Sequence, residues 1–436
     1  MSERAVAIVI GAGIGGLSAA AYLARGGVHT LLLEAGEGPR ACESLVALDP
    51  RMVAELRLPA KGLAFTARDL PLAVAGETPL TLGRDLHAAS AALTRLSDAD
   101  ALAWPLYRRA LVAEAHRLQR WWWMAPEDNI AGMIWGPGAR RSFQRLCLSG
   151  ADAYLGARFE TPSLLAALLW DAGAGGFAVS EPGSALALVW RAAQEMVALQ
   201  GAAALARSGT LVAALTRALG MAQFRTRVQV TRILTRAGGV SGVMLADGSE
   251  IEADHVVSTL SRARTLTLAG LPHPIPAIAE ARIFLRLKTN FAPPAGPPAR
   301  HILAQRPEVH ADAHEAARAG RIASNLPMEW VMPAPDRITV TARPVPASLN
   351  AEQRVRLAAQ AVFALSATLP GVAGAVVGLD IHLSPQRATL GDLLTHPQKR
   401  LLTPIKGLLL AGEDAEPLPP ISGRAGRLAA RQVFSH

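Results

Sequence analysis

The feature that most constrains this chain lies at its amino terminus. Val6-Ala7-Ile8-Val9-Ile10 is an unbroken apolar run, as a parallel strand covered on both faces requires. Gly11-Ala12-Gly13-Ile14-Gly15-Gly16 follows and contains G-x-G-x-x-G. Leu17 to Arg25 then reads as an Ala-rich helix, Thr30-Leu31-Leu32-Leu33 as the next strand, and Glu34 closes that strand. Each residue type has a physical reason. Gly11 permits the tight turn, Gly13 lets backbone approach a pyrophosphate, and Gly16 lets helix pack closely on strand. The helix amino terminus presents free N–H groups and a positive dipole end to phosphates. Glu34 follows Gly16 at close to the spacing of about 20 residues at which an acid accepts hydrogen bonds from an adenosine ribose. Its charge disfavours a 2′-phosphate, which argues against NADP. The motif alone does not separate FAD from NAD.

Composition sets the frame for the rest. The chain has 436 residues, half of them hydrophobic and 18% charged, which excludes a disordered chain and provides for a large core. The net charge is +9, but the basic residues are scattered, without the block expected of a nucleic-acid tail. Contact with an anionic membrane surface is compatible with that charge. Cys42 and Cys147 are the only cysteines. They form no CxxC, so a structural zinc site, an iron–sulfur cluster and a redox disulfide are not expected. A reducing, cytoplasmic location fits. Two uncharged runs invite a membrane reading. Ala5 to Ala24 is interrupted by the glycines of the turn, and Leu357 to Leu379 is broken by Pro370-Gly371 into a helical and a strand-like half. Neither a transmembrane helix nor a cleaved signal is expected.

Strand and helix patterns resume far downstream. Thr210 to Leu219 reads as a helix; Arg225 to Arg232, Val240 to Ala246 and Glu250 to Thr259 read as strands. Asp247-Gly248 marks a hairpin turn between the last two. Gly407-Leu408-Leu409-Leu410-Ala411-Gly412-Glu413-Asp414 reads as a buried strand ending in glycine and two acids. Pro419-Pro420-Ile421-Ser422-Gly423 leads into a helix from Arg424 to about Phe434.

Taken with Pro182-Gly183-Ser184-Ala185, Glu315 to Gly320 and Leu383-Ser384-Pro385, these stretches resemble the FAD-dependent phytoene desaturase-like oxidoreductases, relatives of the amine oxidase flavoproteins. The resemblance covers nearly the whole chain. It implies FAD as cofactor, with Ala12, Gly13, Gly15 and Gly16 at the pyrophosphate and Glu34 at the adenosine ribose. It implies the Val228 backbone at the adenine and Gly412 and Glu413 on the ribityl–pyrophosphate side. Ser422 and Gly423 would open a helix toward the flavin ring. The stretch after Glu34 departs from the family's Gly-Gly-Arg pattern; Arg40 is the candidate for the phosphate-facing arginine. Glu413, Asp414 and Glu416 bring three acids close to a bound pyrophosphate.

The fold class expected is α/β: a Rossmann-like FAD-binding domain, discontinuous over roughly 1–85, 205–270 and 385–436. A second, α+β substrate domain would come from 86–204 and 271–384. The first insertion carries Leu93, Leu96, Ala99, Leu102 and Leu106 at helical spacing, and Trp121-Trp122-Trp123 with Trp135 beyond. Core packing is the first reading of that aromatic cluster; a lipophilic tunnel or a membrane foot is the other. His301, His310 and His314 lie in polar sequence and read as surface histidines, and Asp171 to Gly176 as a glycine loop. Arg84, Arg207 and Arg387 are polar residues at the insertion junctions, read as solvated or salt-bridged. No catalytic side chain is assigned. The expected function is dehydrogenation of a small lipophilic, isoprenoid or polyene substrate by hydride transfer to the flavin. The alternatives are a redox-neutral flavin isomerase, an amine-oxidase-like enzyme, and a non-catalytic partner protein of flavoprotein fold.

Overall fold

The computed structural model describes residues 3–39, 44–67, 70–74, 79–122, 136–198, 205–292, 298–386, 388–415, 418 and 421–434. The chain divides into two compact units. Met1–Arg68, Val197–Ile275 and Thr395–His436 form one; Asp69–Met196 and Pro276–Leu394 form the other.

The first unit is built on β1 (Glu3–Ile10), α1 (Ile14–Arg25), β2 (Thr30–Leu33) and the short helix α2 (Pro50–Glu55). Then come β3 (Gln223–Arg225), β4 (Val230–Arg236), β5 (Gly239–Leu245), β6 (Glu250–Ser258) and α3 (Arg262–Leu268). β7 (Leu408–Leu410) and α4 (Arg424–Phe434) complete it. The sheet runs β3-β2-β1-β6-β5-β4, with β7 also on β6. β3, β2, β1, β6 and β7 are parallel; β5 is antiparallel to both its neighbours. Apart from the exposed Val6, the apolar run of β1 is explained by burial on both faces. Ile8 and Ile10 pack with Leu31, Leu33 and Val256 on one side. Ala7 and Val9 pack with Leu32, Val257 and the helices on the other. A separate three-stranded sheet joins Leu45–Ala47, Leu205–Arg207 and Phe65–Ala67.

The second unit centres on a seven-stranded sheet. Its order is Val376–Pro385, Ile278–Leu287, Arg337–Pro346, Met328–Ala334, Arg300–Leu303, Leu72–Val74, Leu80–Leu82. Helix Ala351–Ser366 lays Leu357, Ala361 and Leu365 against Ile283, Leu285 and Val340. Asn350 and Gln353 close its amino end in a capping box, which satisfies two otherwise unpaired N–H groups.

Several expectations are corrected. Residues 69–85 fall in the second unit: Leu72–Val74 pairs in parallel with Arg300–Leu303 and antiparallel with Leu80–Leu82. Short amphipathic strands carry no local signal of which distant sheet they extend. Residues 385–394 likewise fall in the second unit. Arg225 to Arg232 is not one strand; it breaks between β3 and β4, where Arg227 takes φ +58°. In helix Asp98–Trp122 the leucines Leu102 and Leu106 face solvent, at 76% and 68% exposure, while Asp100, Trp104 and Tyr107 are buried. Asp100 is inside because its carboxylate accepts the N–H groups of Glu160 and Thr161 at 2.8 and 2.9 Å. His310 is buried, its Nε2 2.8 Å from the Ala166 carbonyl, and His301 is half-buried, stacked 3.7 Å from Trp330. Polar neighbours in sequence hid both histidines, whose burial is set by long-range contacts.

Candidate functional site: a dinucleotide cradle

The turn from β1 into α1 is shaped by glycines that have no alternative. Gly11 takes φ +92°, and its N–H donates to the Leu33 carbonyl at 2.8 Å. A Cβ on Gly16 would run into the Gly11 carbonyl, and one on Gly15 into the Ala411 carbonyl. Gly13 differs: an added Cβ would meet nothing within 4 Å. The space in front of the Gly13 backbone is open, and Gly13 caps α1 with no side chain bonded there and no acid in the first turn. Ile14, half-buried, starts the helix. This end of α1 therefore keeps its positive character available to an anion.

Glu34 stands beside that opening, partly buried. One carboxylate oxygen accepts the Ala12 N–H at 2.7 Å and the other accepts the Gly36 N–H at 2.8 Å. The carboxylate is thus held in one orientation, with lone pairs remaining for hydroxyl donors. The Glu34 carbonyl accepts the Val228 N–H at 2.9 Å, which ties the β3–β4 connection to the end of β2. Glu34 and Val228 are brought together from positions far apart in sequence. Arg40 lies outside the described residues.

The second part of the cradle comes from the carboxyl-terminal segment. β7 delivers Gly412 against the end of β6, where a Cβ would overlap the Thr259 carbonyl. Glu413 is exposed. Asp414 has a local role: its carboxylate accepts the Arg262 N–H at 2.8 Å and so caps α3. Crowding by the surrounding chain raises its carboxyl above the usual range, against the pull of that N–H, and Glu413 adds to the rise. Ser422 is buried and its N–H donates to the Ala47 carbonyl at 2.8 Å. That N–H is therefore occupied, and donors toward a ligand at this end must come from the first turn of α4. Gly423 takes φ +87° with Met52 against it, and its carbonyl accepts the Ser18 hydroxyl at 3.0 Å. α4 packs on α1 so closely that a Cβ on Gly426 would overlap the Gly15 carbonyl.

The second unit hides an ionic network that sequence reasoning missed. Arg300 lies between Asp171 and Glu329, 2.5 Å from each. The Trp170 indole N–H donates to Glu329 at 3.0 Å. Arg343 bonds Glu280 at 2.7 Å and the Trp170 carbonyl at 2.9 Å, and lies 3.9 Å over the Trp170 ring. Burial raises the Asp171 and Glu280 carboxyls, but the arginines outweigh it and hold both below the usual range. Asp171 thus serves this network, and the glycines after it pack closely: a Cβ on Gly176 would crowd the Gln386 carbonyl. Trp121, Trp122 and Trp190 are core, with Trp122 and Trp190 4.7 Å apart; Trp123 and Trp135 lie outside the described residues. Arg84 and Arg207 are exposed; Arg387 is outside the described residues. Among the described residues no cluster of His, Cys, Asp or Glu could hold a metal ion, and no helix is long and apolar enough to cross a membrane.

Comparison with known proteins places this geometry. Residues 9–56 match the family model of the NAD(P)-binding Rossmann-like domain, and residues 139–287 match that of flavin containing amine oxidoreductases. A mouse (Mus musculus) protein, pyridine nucleotide-disulfide oxidoreductase domain-containing protein 2, is 26% identical over 307 residues. The match covers 58% of this chain and 53% of that one, so the chain spans about half of that relative's length. An oxidoreductase from Methanosarcina mazei superposes with TM-score 0.61 at 14% identity, over 99% of this chain and 100% of the other. A putrescine oxidase redesigned in its cofactor binding gives TM-score 0.61 at 16% identity, over 100% and 99%. The structures establish a shared fold. The match of residues 139–287 to the flavin containing amine oxidoreductase model supports FAD as cofactor. The residues present fit FAD: an open Gly13 backbone at an uncapped helix end, with an oriented carboxylate beside it.

Proposed function

We propose that this FAD-dependent oxidoreductase dehydrogenates or desaturates a lipophilic, uncharged substrate of isoprenoid or polyene class. Bound FAD supplies the hydride acceptor; the chain supplies binding, orientation and exclusion of water. Gly11 to Gly16 and the first N–H groups of α1 hold the pyrophosphate. Glu34 holds the adenosine ribose, and the Val228 backbone borders the adenine. Gly412 and Glu413 would hold the ribityl–pyrophosphate side, and the α4 amino terminus would face the flavin ring. A positive helix end at that place favours the electron-rich, reduced cofactor.

One observation carries the substrate class. Among the described residues, the acids inside the second unit are already bonded, except that Glu114 Oε2 is buried without a hydrogen-bond partner. Asp171 and Glu329 are held by Arg300, Glu280 by Arg343 and Arg282, and Glu114 by Arg117. Asp100 is bonded to backbone N–H groups. A buried cation needs a counter-charge, and apart from Glu114 Oε2 these acids have none left to offer an alkylammonium. That disfavours the amine-oxidase reading. The net charge of +9 supports peripheral contact with an anionic surface, from which an apolar substrate would be drawn, in a cytoplasmic setting.

The test is spectroscopic. The purified chain is expected to show flavin absorption near one per chain, and anaerobic addition of polyenes or isoprenoids is expected to bleach it while alkylamines do not. Bleaching by amines alone refutes the substrate class. A chain that stays colourless with added FAD refutes the oxidoreductase reading and favours a partner role.

A further inference from the structure

We propose that the buried Asp49–Arg427 pair is a positioning device that fixes the start of α4 and thereby sets the balance between oxidised and reduced cofactor. The proposal rests on the reading above, that this helix end faces the flavin ring.

Both side chains are fully buried, with Arg427 Nε 2.6 Å from Asp49 Oδ2. The other Asp49 oxygen accepts the Arg51 N–H at 3.0 Å and so caps α2. The Asp49 N–H donates to the Ser422 carbonyl at 3.2 Å, while the Ser422 N–H donates to the Ala47 carbonyl. Leu48 pairs with Ser422 as a parallel bridge. Ser18 bonds the Gly423 carbonyl from the α1 side, and Met52 of α2 fills the place a Gly423 side chain would take. Residues 47–52 thus grip the chain at 421–423 by its backbone. Asp49 adds a grip on Arg427, one turn into the helix. Two points of attachment one turn apart fix both the axial position and the rotation of α4.

The chemistry favours placement over bulk stability. A buried ion pair is often no more stabilising than apolar residues of similar volume, so its advantage here is a single, directed geometry. The field of a helix end falls off within its first turn, so a small displacement of α4 changes what a ring in front of it feels. The pair is neutral as a unit and acts through position, without adding charge.

The experiment uses the full chain loaded with FAD. Asp49→Asn combined with Arg427→Gln replaces the ion pair by amides and leaves the net charge unchanged. The reduction equilibrium, read by dye equilibration, is expected to shift at least tenfold toward the oxidised form, about 30 mV for a two-electron couple. Ser18→Ala, a milder release of Gly423, should shift it the same way by less, and keeps the test decisive if the double variant does not fold. Leu23→Ala, a buried deletion in the last turn of α1, should lower the melting temperature without moving the equilibrium. Lower melting with an unmoved equilibrium in both the double variant and Ser18→Ala overturns the proposal. A wild-type chain that takes up no FAD overturns the flavin reading first, and this proposal with it. The potential is read without any substrate, so an error in the substrate class does not bear on the outcome.

Discussion

Replacing Glu34 by Gln tests the cradle at its most specific point. The carboxylate has two acceptor oxygens, and each takes a backbone N–H, from Ala12 at 2.7 Å and Gly36 at 2.8 Å. A glutamine amide offers one oxygen and one NH2. Whichever way it turns, the NH2 meets one of those N–H donors, and that group loses its acceptor. A buried donor left unpaired costs about 1–3 kcal/mol. The surviving bond loses its charge assistance, which makes such bonds roughly twice as strong as neutral ones. Glu34 is only partly buried, so solvent relieves part of this, and we expect about 2 kcal/mol. At roughly 2–4 °C per kcal/mol for a unit of this size, the melting temperature of the FAD-free chain should fall by about 4–8 °C. Affinity for FAD should fall by about tenfold or more, because a misplaced Ala12 N–H and a neutral side chain act on the same ligand; tenfold corresponds to about 1.4 kcal/mol. Differential scanning calorimetry of the FAD-free chain and fluorescence titration with FAD read the two effects separately. A Gln variant that melts within a degree of wild type and binds FAD equally well would refute the argument, since both bonds would then contribute nothing.

The glycines of the turn provide a contrasting pair. Gly16→Ala drives a methyl into the Gly11 carbonyl and should destabilise the FAD-free chain by about 1–3 kcal/mol or more; Gly13→Ala, in open space, should leave its melting temperature nearly unchanged yet abolish FAD uptake by titration. Arg300→Leu leaves Asp171 and Glu329 buried without their cation and should cost about 3–5 kcal/mol, visible as a lower midpoint in urea. Burial pushes His310 down to about 4 from 6.5. The folded state therefore binds fewer protons than the unfolded one between those values, so stability is full above pH 6.5 and falls as the pH drops toward 4. The loss approaches about 3 kcal/mol at 1.36 kcal/mol per pH unit. His301 is pushed down to about 4 by burial as well, so unfolding measured from pH 7 to 4 should show at least that slope, and His310→Gln should remove the His310 share of it.

What was legible in the sequence is what local rules encode. β1, the glycine turn, α1 and β2 announce themselves because a doubly buried strand, a left-handed glycine and a helix-contacting glycine leave few substitutes. The Asp247-Gly248 hairpin and the helix beginning at Arg424 were legible for the same reason, and both are present. The pattern of helix Asp98–Trp122 misled because Leu102 and Leu106 follow helical spacing and yet lie on the solvent side. Its interior is instead defined by Trp104, Tyr107 and Phe159, which meet at 5.2–6.1 Å, and by a buried carboxylate that no hydropathy rule would place inside.

The ionic groups mark the limit of sequence reading most clearly. Asp49 and Arg427 are 378 positions apart, and Asp171 and Arg300 are 129 apart. A charged residue reads locally as solvated, because a lone buried ion is too costly to expect. Only the fold reveals that the cost is met pairwise. The two networks also differ in what they can do. In the second unit, Arg300 and Arg343, on strands of the sheet, neutralise Asp171, Glu329 and Glu280. In the first unit, one pair sits where backbone bonds already converge on the start of α4. There a directed contact has leverage, since the field of a helix end falls off within its first turn. The Rossmann motif points to a dinucleotide, and on the proposal above the Asp49–Arg427 contact would bear on how readily that dinucleotide is reduced.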